Sequence, residues 1–240
     1  MGTSTSYSSP PDWGQLKGSI TRLAGSKSVS TGAAAAVVGS FVEKTGFSGH
    51  GGEGGSSGTG GFAAASRVAR SFGGFVSDVG KYGLSEALER NGLSDLREKP
   101  VQEIILGLVD RLGGPASTID DVDARMALSK LQEKILEEAE NVADVERILS
   151  EKATDLGELL ADFFGFYLYE HFCRVFYESL VQKVGEIRAE SFLDQIKDFI
   201  FSSIANQAVS TPLGNVEWGG EQGQKIIEEI MEATMAVFGG

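Results

Sequence analysis

Few residues of this 240-residue chain could act together as a catalytic or metal-binding group. His171 and Cys173 lie two positions apart in the segment YEHFCRVF, and the other histidine, His50, lies in a glycine-rich stretch. On a helix, residues two positions apart point to nearly opposite faces, which is wrong for a shared metal ion or a Cys–His nucleophilic pair. We therefore predict structural roles for His171 and Cys173, and we expect the chain to have no catalytic residue, no metal site and no cofactor.

Acidic residues cluster in three segments, IDDVD, ILEEAE and IIEEI. Each pattern is typical of a solvated helix face. Glu137, Glu138 and Glu140 could attract a divalent ion weakly, but their spacing fixes no coordination geometry. A hydrolase that uses clustered carboxylates is the least favoured alternative, because the sequence contains no recognisable arrangement of histidine and nucleophile.

Charge is distributed unevenly along the chain. Residues 1–99 carry a net charge of +2 (10 Lys/Arg against 8 Asp/Glu), and residues 100–240 carry −15 (11 Lys/Arg against 26 Asp/Glu). Binding to nucleic acid or to an anionic membrane requires clustered cations, so both are disfavoured. A basic partner surface is the natural complement of the acidic part.

Two further features bear on location. The single cysteine excludes a disulfide within the chain, and no basic segment followed by an apolar run marks a secretory signal, so we expect a cytoplasmic protein. Asp162 and Glu170 interrupt the most apolar window, LLADFFGFYLYEHF, which is also too short to span a bilayer. We expect no membrane segment.

Composition divides the chain into four parts. Residues 1–11 are mostly Ser, Thr, Gly, Tyr and Pro, which predicts a flexible leader. Residues 12–45 predict short helices, and residues 46–61, GFSGHGGEGGSSGTGG, predict a glycine-rich linker, because no GK[ST] follows to make a phosphate-binding loop. Residues 62–240 have helical periodicity and no strand pattern, so we predict an all-α helical bundle with long acidic helices.

A seven-residue apolar repeat runs through the acidic half of the chain, at Leu128, Ile135, Val142, Leu149, Leu156 and Phe163. Such a repeat predicts helices that pack along their length, in a bundle or as a coiled coil. Asn141 and Thr154 are the positions at which the run could divide into separate helices. Residues 159–180 are the most aromatic window and are apolar on more than one face, which is typical of a helix in the centre of a bundle.

The leader carries the one group with available chemistry. Initiator methionine is normally removed before a small residue, which would expose the α-amine of Gly2. An α-amine has a pKa of about 8, so part of it is neutral and nucleophilic at physiological pH. MGTSTS also fits a short myristoylation pattern, and an unmodified, disordered terminus is the alternative that composition alone favours.

The leader MGTSTSYSSPP, the tryptophan segment with GSITRLAGS, the small-residue helix and the glycine-rich link together resemble the QatB family of the bacterial Qat anti-phage defence systems. The resemblance implies a non-catalytic subunit that works beside a QueC-like enzyme, a P-loop ATPase and a TatD-like nuclease. It also implies that the QueC-like enzyme attaches a 7-deazaguanine group to an N-terminal glycine, which here is Gly2. The segment recognised by that enzyme would be Thr3, Ser4, Thr5 and Ser6.

Two alternatives of another class stay open. The chain could be a helical scaffold or effector that docks the defence ATPase without any N-terminal modification. It could also be a toxin-like bundle that releases the aromatic helix of residues 159–180 into a membrane, although Asp162 and Glu170 oppose insertion.

Overall fold

A computed structural model describes residues 13–26, 28–45, 60–205 and 216–239 of the chain. Within these ranges the secondary structure consists of ten α-helices and one short 3-10 helix, without strands, which confirms the predicted all-α class. The α-helices are α1 (Gly14–Ala24), α2 (Thr31–Thr45), α3 (Gly60–Tyr82), α4 (Leu84–Arg90), α5 (Val101–Leu112), α6 (Ile119–Leu136), α7 (Val142–Lys152), α8 (Leu156–Val184), α9 (Glu186–Ala205) and α10 (Glu221–Gly239). The 3-10 helix, Ser94–Leu96, lies between α4 and α5.

The repeat of seven divides into three helices at the two predicted positions. Asn141 caps α7, because its side chain accepts a hydrogen bond from the Asp144 backbone N–H at 3.1 Å. Thr154 lies between the end of α7 and the start of α8, and its hydroxyl donates to the Glu151 carbonyl at 2.7 Å. Val142, at the start of α7, is exposed, whereas Leu149 is buried. The arrangement is therefore a bundle of separate helices and not a continuous coiled coil.

Helix α8 lies at the centre of the bundle and packs against α1, α3, α6, α9 and α10. Its aromatic side chains form much of the core: Phe163, Phe164, Tyr167, Phe172 and Phe176 are buried. Phe41 of α2 stacks edge-on against Phe172 and Phe176, with ring centroids 5.1 and 5.6 Å away. The prediction of a central aromatic helix is confirmed.

Helices α6 and α9 both run antiparallel to α8. Ion pairs join Asp123 to Arg174 and Lys134 to Asp162, so the residue numbers of α6 rise as those of α8 fall. Gly185 has a φ of +84°, which a residue with a side chain rarely adopts, and the chain reverses there between α8 and α9. These two neighbours determine what is left exposed along one side of α8.

Candidate functional site

The N-terminal group predicted as a modification site lies outside the described residues. This applies to Gly2, to the segment Thr3–Ser6 and also to His50, so their roles stay predictions. The first described residue is Trp13, which is buried and packs against Phe41 and Phe176 with ring centroids 5.7 and 6.0 Å apart. The body of the protein therefore holds the chain at Trp13, two residues after the end of the leader.

A buried charge cluster joins α6 to α8. Asp123 is only 4 % exposed, and the Arg174 guanidinium donates from Nε to both of its carboxylate oxygens, at 2.8 and 3.1 Å. His171 Nδ1 lies 3.3 Å from Asp123 Oδ2, and Arg174 Nη2 lies 3.5 Å from Asp120 Oδ1. Tyr167 is buried beside the cluster, and burial together with the charges of Asp120 and Asp123 raises its pKa.

The donor set of this cluster suits a structural ion network better than a metal centre. Ligand atoms of Asp120, Asp123 and His171 lie within 4.8 Å of one another, which is close enough for a shared cation. However, Arg174 already places a positive charge against both carboxylates, so a divalent ion would have to compete with it. No side chain named in the cluster is an activated nucleophile. The cluster therefore fixes α8 against the start of α6.

A second buried carboxylate fixes the start of α6 to α3. Asp121 is 5 % exposed, accepts from the backbone N–H of Thr118 at 2.8 Å, and completes a capping box with that residue. Arg67 of α3 donates to its other oxygen at 2.9 Å. The hydrogen bond from Arg67, aided by those from Thr118, lowers the pKa of Asp121 to about 2. The carboxylates of Asp121 and Asp123 thus hold α6 against its neighbouring helices, α3 and α8.

These contacts correct one sequence expectation. The IDDVD segment was expected to form a solvated face, and that is wrong for Asp121 and Asp123, because one side of the first turn of α6 packs against α3 and α8 and both carboxylates meet an arginine. For IIEEI the expectation is confirmed, because Glu228 and Glu229 are exposed on α10. In ILEEAE the glutamates Glu137, Glu138 and Glu140 are exposed as expected, but they follow the end of α6 at Leu136 and so do not form a helix face.

Cys173 lies on a different side of α8 from His171, as the spacing predicted. It lines a cavity of about 350 Å³ between α6 and α9, whose floor is α8. Burial raises the pKa of its thiol to about 12, so the thiol is protonated at physiological pH and is a poor nucleophile. We call this cavity the α6–α9 groove. It is lined by Met126, Lys130, Phe166, Tyr169, Glu170, Cys173, Tyr177, Glu190, Leu193, Asp194 and Lys197.

Sequence reasoning did not find this groove, because its walls come from three helices. Met126, Tyr177 and Asp194 are separated by long stretches of chain and meet only through the antiparallel packing of α6 and α9 on α8. Glu170 on the floor is half-buried, and burial raises the pKa of its carboxyl. Among the helices of the described ranges, none combines the length and the apolar character needed to cross a bilayer.

Comparison with known proteins identifies the family. A family model described as Qat anti-phage system associated protein QatB matches residues 53–238, which include α3 to α9 and all but the last residue of α10. Neither the curated proteins nor the solved structures gave a match. The matched span begins after the leader, so Gly2 lies outside it. Since the match covers most of the chain, the protein belongs to the QatB family of Qat anti-phage system associated proteins.

Proposed function

We propose that the chain is a non-catalytic subunit of a Qat defence complex that binds a QueC-like enzyme and offers the α-amine of Gly2 as its substrate. The enzyme would attach a 7-deazaguanine group to that amine. The observation that carries the proposal is the MGTSTS leader in a member of the QatB family, placed ahead of the firmly packed Trp13. The P-loop ATPase and the TatD-like nuclease of such systems are further candidate partners.

The proposed reaction is an amide formation. The oxygen of a 7-deazaguanine carboxylate would attack the α-phosphate of ATP in the partner enzyme, forming an acyl adenylate and releasing pyrophosphate. The neutral Gly2 amine would attack the acyl carbon, forming the C–N bond while the C–O bond to phosphate breaks, and AMP would leave as the amine loses a proton. Because glycine has no side chain, its amine is unhindered, and Thr3–Ser6 would bind the enzyme as an extended strand through backbone hydrogen bonds.

The body of the protein supports a non-catalytic role in two ways. Its most reactive side-chain type, the thiol of Cys173, has a raised pKa, and its half-buried His171 is engaged with Asp123 and Arg174. Chemistry at the leader needs neither group.

Mass spectrometry of the N-terminal peptide tests the proposal. The chain would be expressed with and without the neighbouring QueC-like gene, and we expect a mass addition on Gly2 only when that gene is present. Gly2→Ala is the matched variant, because methionine is still removed before alanine but a methyl group then crowds the amine. An unmodified Gly2 under both conditions, with and without phage challenge, would contradict the proposal.

The alternative in which α8 inserts into a membrane has less support. Phe163, Phe172 and Phe176 are already buried in the core, so release of the helix would expose their apolar surface and break the bundle around it. Leakage of dye from liposomes on addition of the purified chain would favour that alternative.

A further inference from the structure

Helix α9, which forms one wall of the α6–α9 groove, carries a row of acidic side chains. Glu186, Glu190, Asp194 and Asp198 recur every four residues along α9, and all four are exposed. None of them forms an ion pair with a residue of the described ranges. With a rise of about 1.5 Å per residue, the row is about 18 Å long. Glu190 and Asp194 line the groove itself.

On the opposite side, Met126 and Lys130 of α6 line the groove, and an exposed apolar surface of α6 continues from Met126 towards the start of that helix. Ile119, Val122 and Met126 of α6 are 55, 46 and 45 % exposed, and their spacing of three and four residues places them on one face of the helix. Tyr177 of α8, 39 % exposed, continues this surface onto the floor of the groove. Exposed apolar residues that are contiguous, unlike single ones, are typical of an interaction site.

The combination of the exposed apolar surface of α6 and the acidic row of α9 fits one kind of occupant. An amphipathic helix binds in a groove through its apolar face, and charges along its flank determine which partner is accepted. Here the flank that meets Glu190 and Asp194 must be basic. We propose that the α6–α9 groove binds a basic amphipathic helix of another protein.

The undescribed stretches of this sequence lack the cations that such an occupant needs. The stretches 1–12, 46–59 and 206–215, outside the described residues, contain no lysine or arginine, and Lys27 is a single undescribed position between two described ranges. A second copy would bring the same acidic row towards the first, and like charges placed opposite each other oppose association. The acidic half of the chain, with its net charge of −15, likewise favours a partner of opposite charge.

Two lysines at one end of the groove suggest the direction of the bound helix. Lys130 is one turn beyond Met126 and pairs with Glu133, and Lys197 lies 5.8 Å from the centre of the Phe166 ring. The C-terminus of a helix carries a partial negative charge, so we expect the C-terminus of the bound helix at this end. The inference deepens the proposed function, because it locates a partner-binding surface on the body, but it does not depend on modification of Gly2.

A synthetic peptide provides the first test. The probe is an 18-residue peptide of Leu and Lys, patterned as an amphipathic helix, and the matched probe has Glu in place of Lys. Fluorescence anisotropy would measure the binding of each to the full chain. We expect the Lys peptide to bind and the Glu peptide to bind at least about tenfold more weakly, since each tenfold change requires only a modest difference in binding free energy.

Substitutions in the chain locate the site. Glu190→Lys/Asp194→Lys should weaken the Lys peptide about tenfold or more, whereas Glu228→Lys/Glu229→Lys on α10, with the same change in net charge, should not. Val122→Ser/Met126→Ser should also weaken it, while Ile187→Ser, another exposed apolar position, should leave it unchanged. The proposal would be overturned if a groove variant and its control weakened binding equally, because binding would then reflect net charge or general apolar contact. It would also be overturned if neither groove variant weakened binding.

Co-expression with the other Qat genes separates the groove from the leader. Glu190→Lys/Asp194→Lys should reduce co-purification of a Qat partner, and the α10 variant should not. If the groove variant still binds the Lys peptide and still co-purifies with every Qat partner, the groove is not a partner-binding site, even if Gly2 is modified. An unmodified Gly2 would refute the leader as substrate while the groove result stands.

Discussion

Removal of the Arg174 side chain provides a direct measure of how α8 is fixed to α6. Arg174→Met retains an unbranched chain of similar length but leaves the Asp123 carboxylate without its guanidinium, at a position only 4 % exposed. Loss of one partner of a buried pair costs about 3–5 kcal/mol. Because the Arg174 side chain is itself 25 % exposed, water screens part of the interaction, and we expect a loss of about 3 kcal/mol.

Thermal unfolding followed by far-UV circular dichroism would measure this loss. For a chain of this size, about 1 kcal/mol corresponds to about 2–4 °C in Tm, so Arg174→Met should lower Tm by about 6–12 °C. Arg147→Met is the matched control, because Arg147 pairs with Glu151 on an exposed face of α7 and should cost no more than about 0.5 kcal/mol.

A second substitution separates the ion pair from simple loss of packing. Asp123→Asn removes the buried charge, so Arg174→Met should cost about 1–2 kcal/mol less in that background than in the unchanged chain. Our reasoning would be refuted if Arg174→Met were as mild as Arg147→Met, or if its cost were the same with and without the Asp123 charge. The latter result would mean that the arginine acts only through its apolar stem.

Two further predictions concern stability. Gly165→Ala should destabilise the chain by about 1–3 kcal/mol in urea unfolding, because the new Cβ would lie 2.7 Å from Cδ1 of Ile204. Gly18→Ala has no neighbour within 4 Å of its new Cβ and should stabilise the chain by about 0.5–1 kcal/mol. Equal effects of the two variants would contradict this reasoning. The pKa of Asp121 is lowered from 3.8 to about 2, so its contribution is complete above pH about 4 and is lost as the pH falls towards 2. As the pH falls from about 4 towards 2, the urea midpoint of the Asp121→Asn variant should therefore fall less than that of the unchanged chain. A parallel fall in the two proteins would refute the lowered pKa of Asp121.

The ends of several helices can be predicted from the chemistry of nearby side chains. Thr118, Asn141 and Thr154 mark the starts or breaks of α6, α7 and α8, because their side chains bond to backbone groups within a few residues. The central place of α8 also followed from its sequence, since a helix that is apolar on several faces has no face to offer to water. Such signals depend on neighbours along the chain, and a single sequence contains them.

The charge cluster and the groove could not be predicted from such local sequence signals. Asp123 and Arg174 are 51 positions apart, and nothing in the IDDVD segment distinguishes a buried aspartate from an exposed one. The capping box was a local signal for Asp121, but its contact with Arg67 crosses from α3 to α6. Conversely, Ile119, Val122 and Met126 have the spacing of a core face and are exposed, because α8 and α9 leave that side of α6 uncovered. Tertiary packing decides both outcomes.

The two proposed partner contacts lie around the same central helix. Trp13, where the leader joins the body, packs against Phe176, and the next residue of α8, Tyr177, lines the groove. Twelve residues precede Trp13, and an extended chain of that length reaches about 40 Å, which exceeds the helix diameter of about 10 Å. One enzyme could therefore hold the groove while its active site takes Gly2.

The groove variant distinguishes one partner from two. If Glu190→Lys/Asp194→Lys abolishes the mass addition on Gly2 in cells that carry the QueC-like gene, the groove recruits the modifying enzyme itself. If the addition persists while co-purification of another Qat protein is lost, the leader and the groove serve different partners. The first outcome follows when the leader binds weakly alone, because tethering at the groove raises the local concentration of Gly2 at the active site. The second requires that the leader segment carries enough affinity for the enzyme by itself.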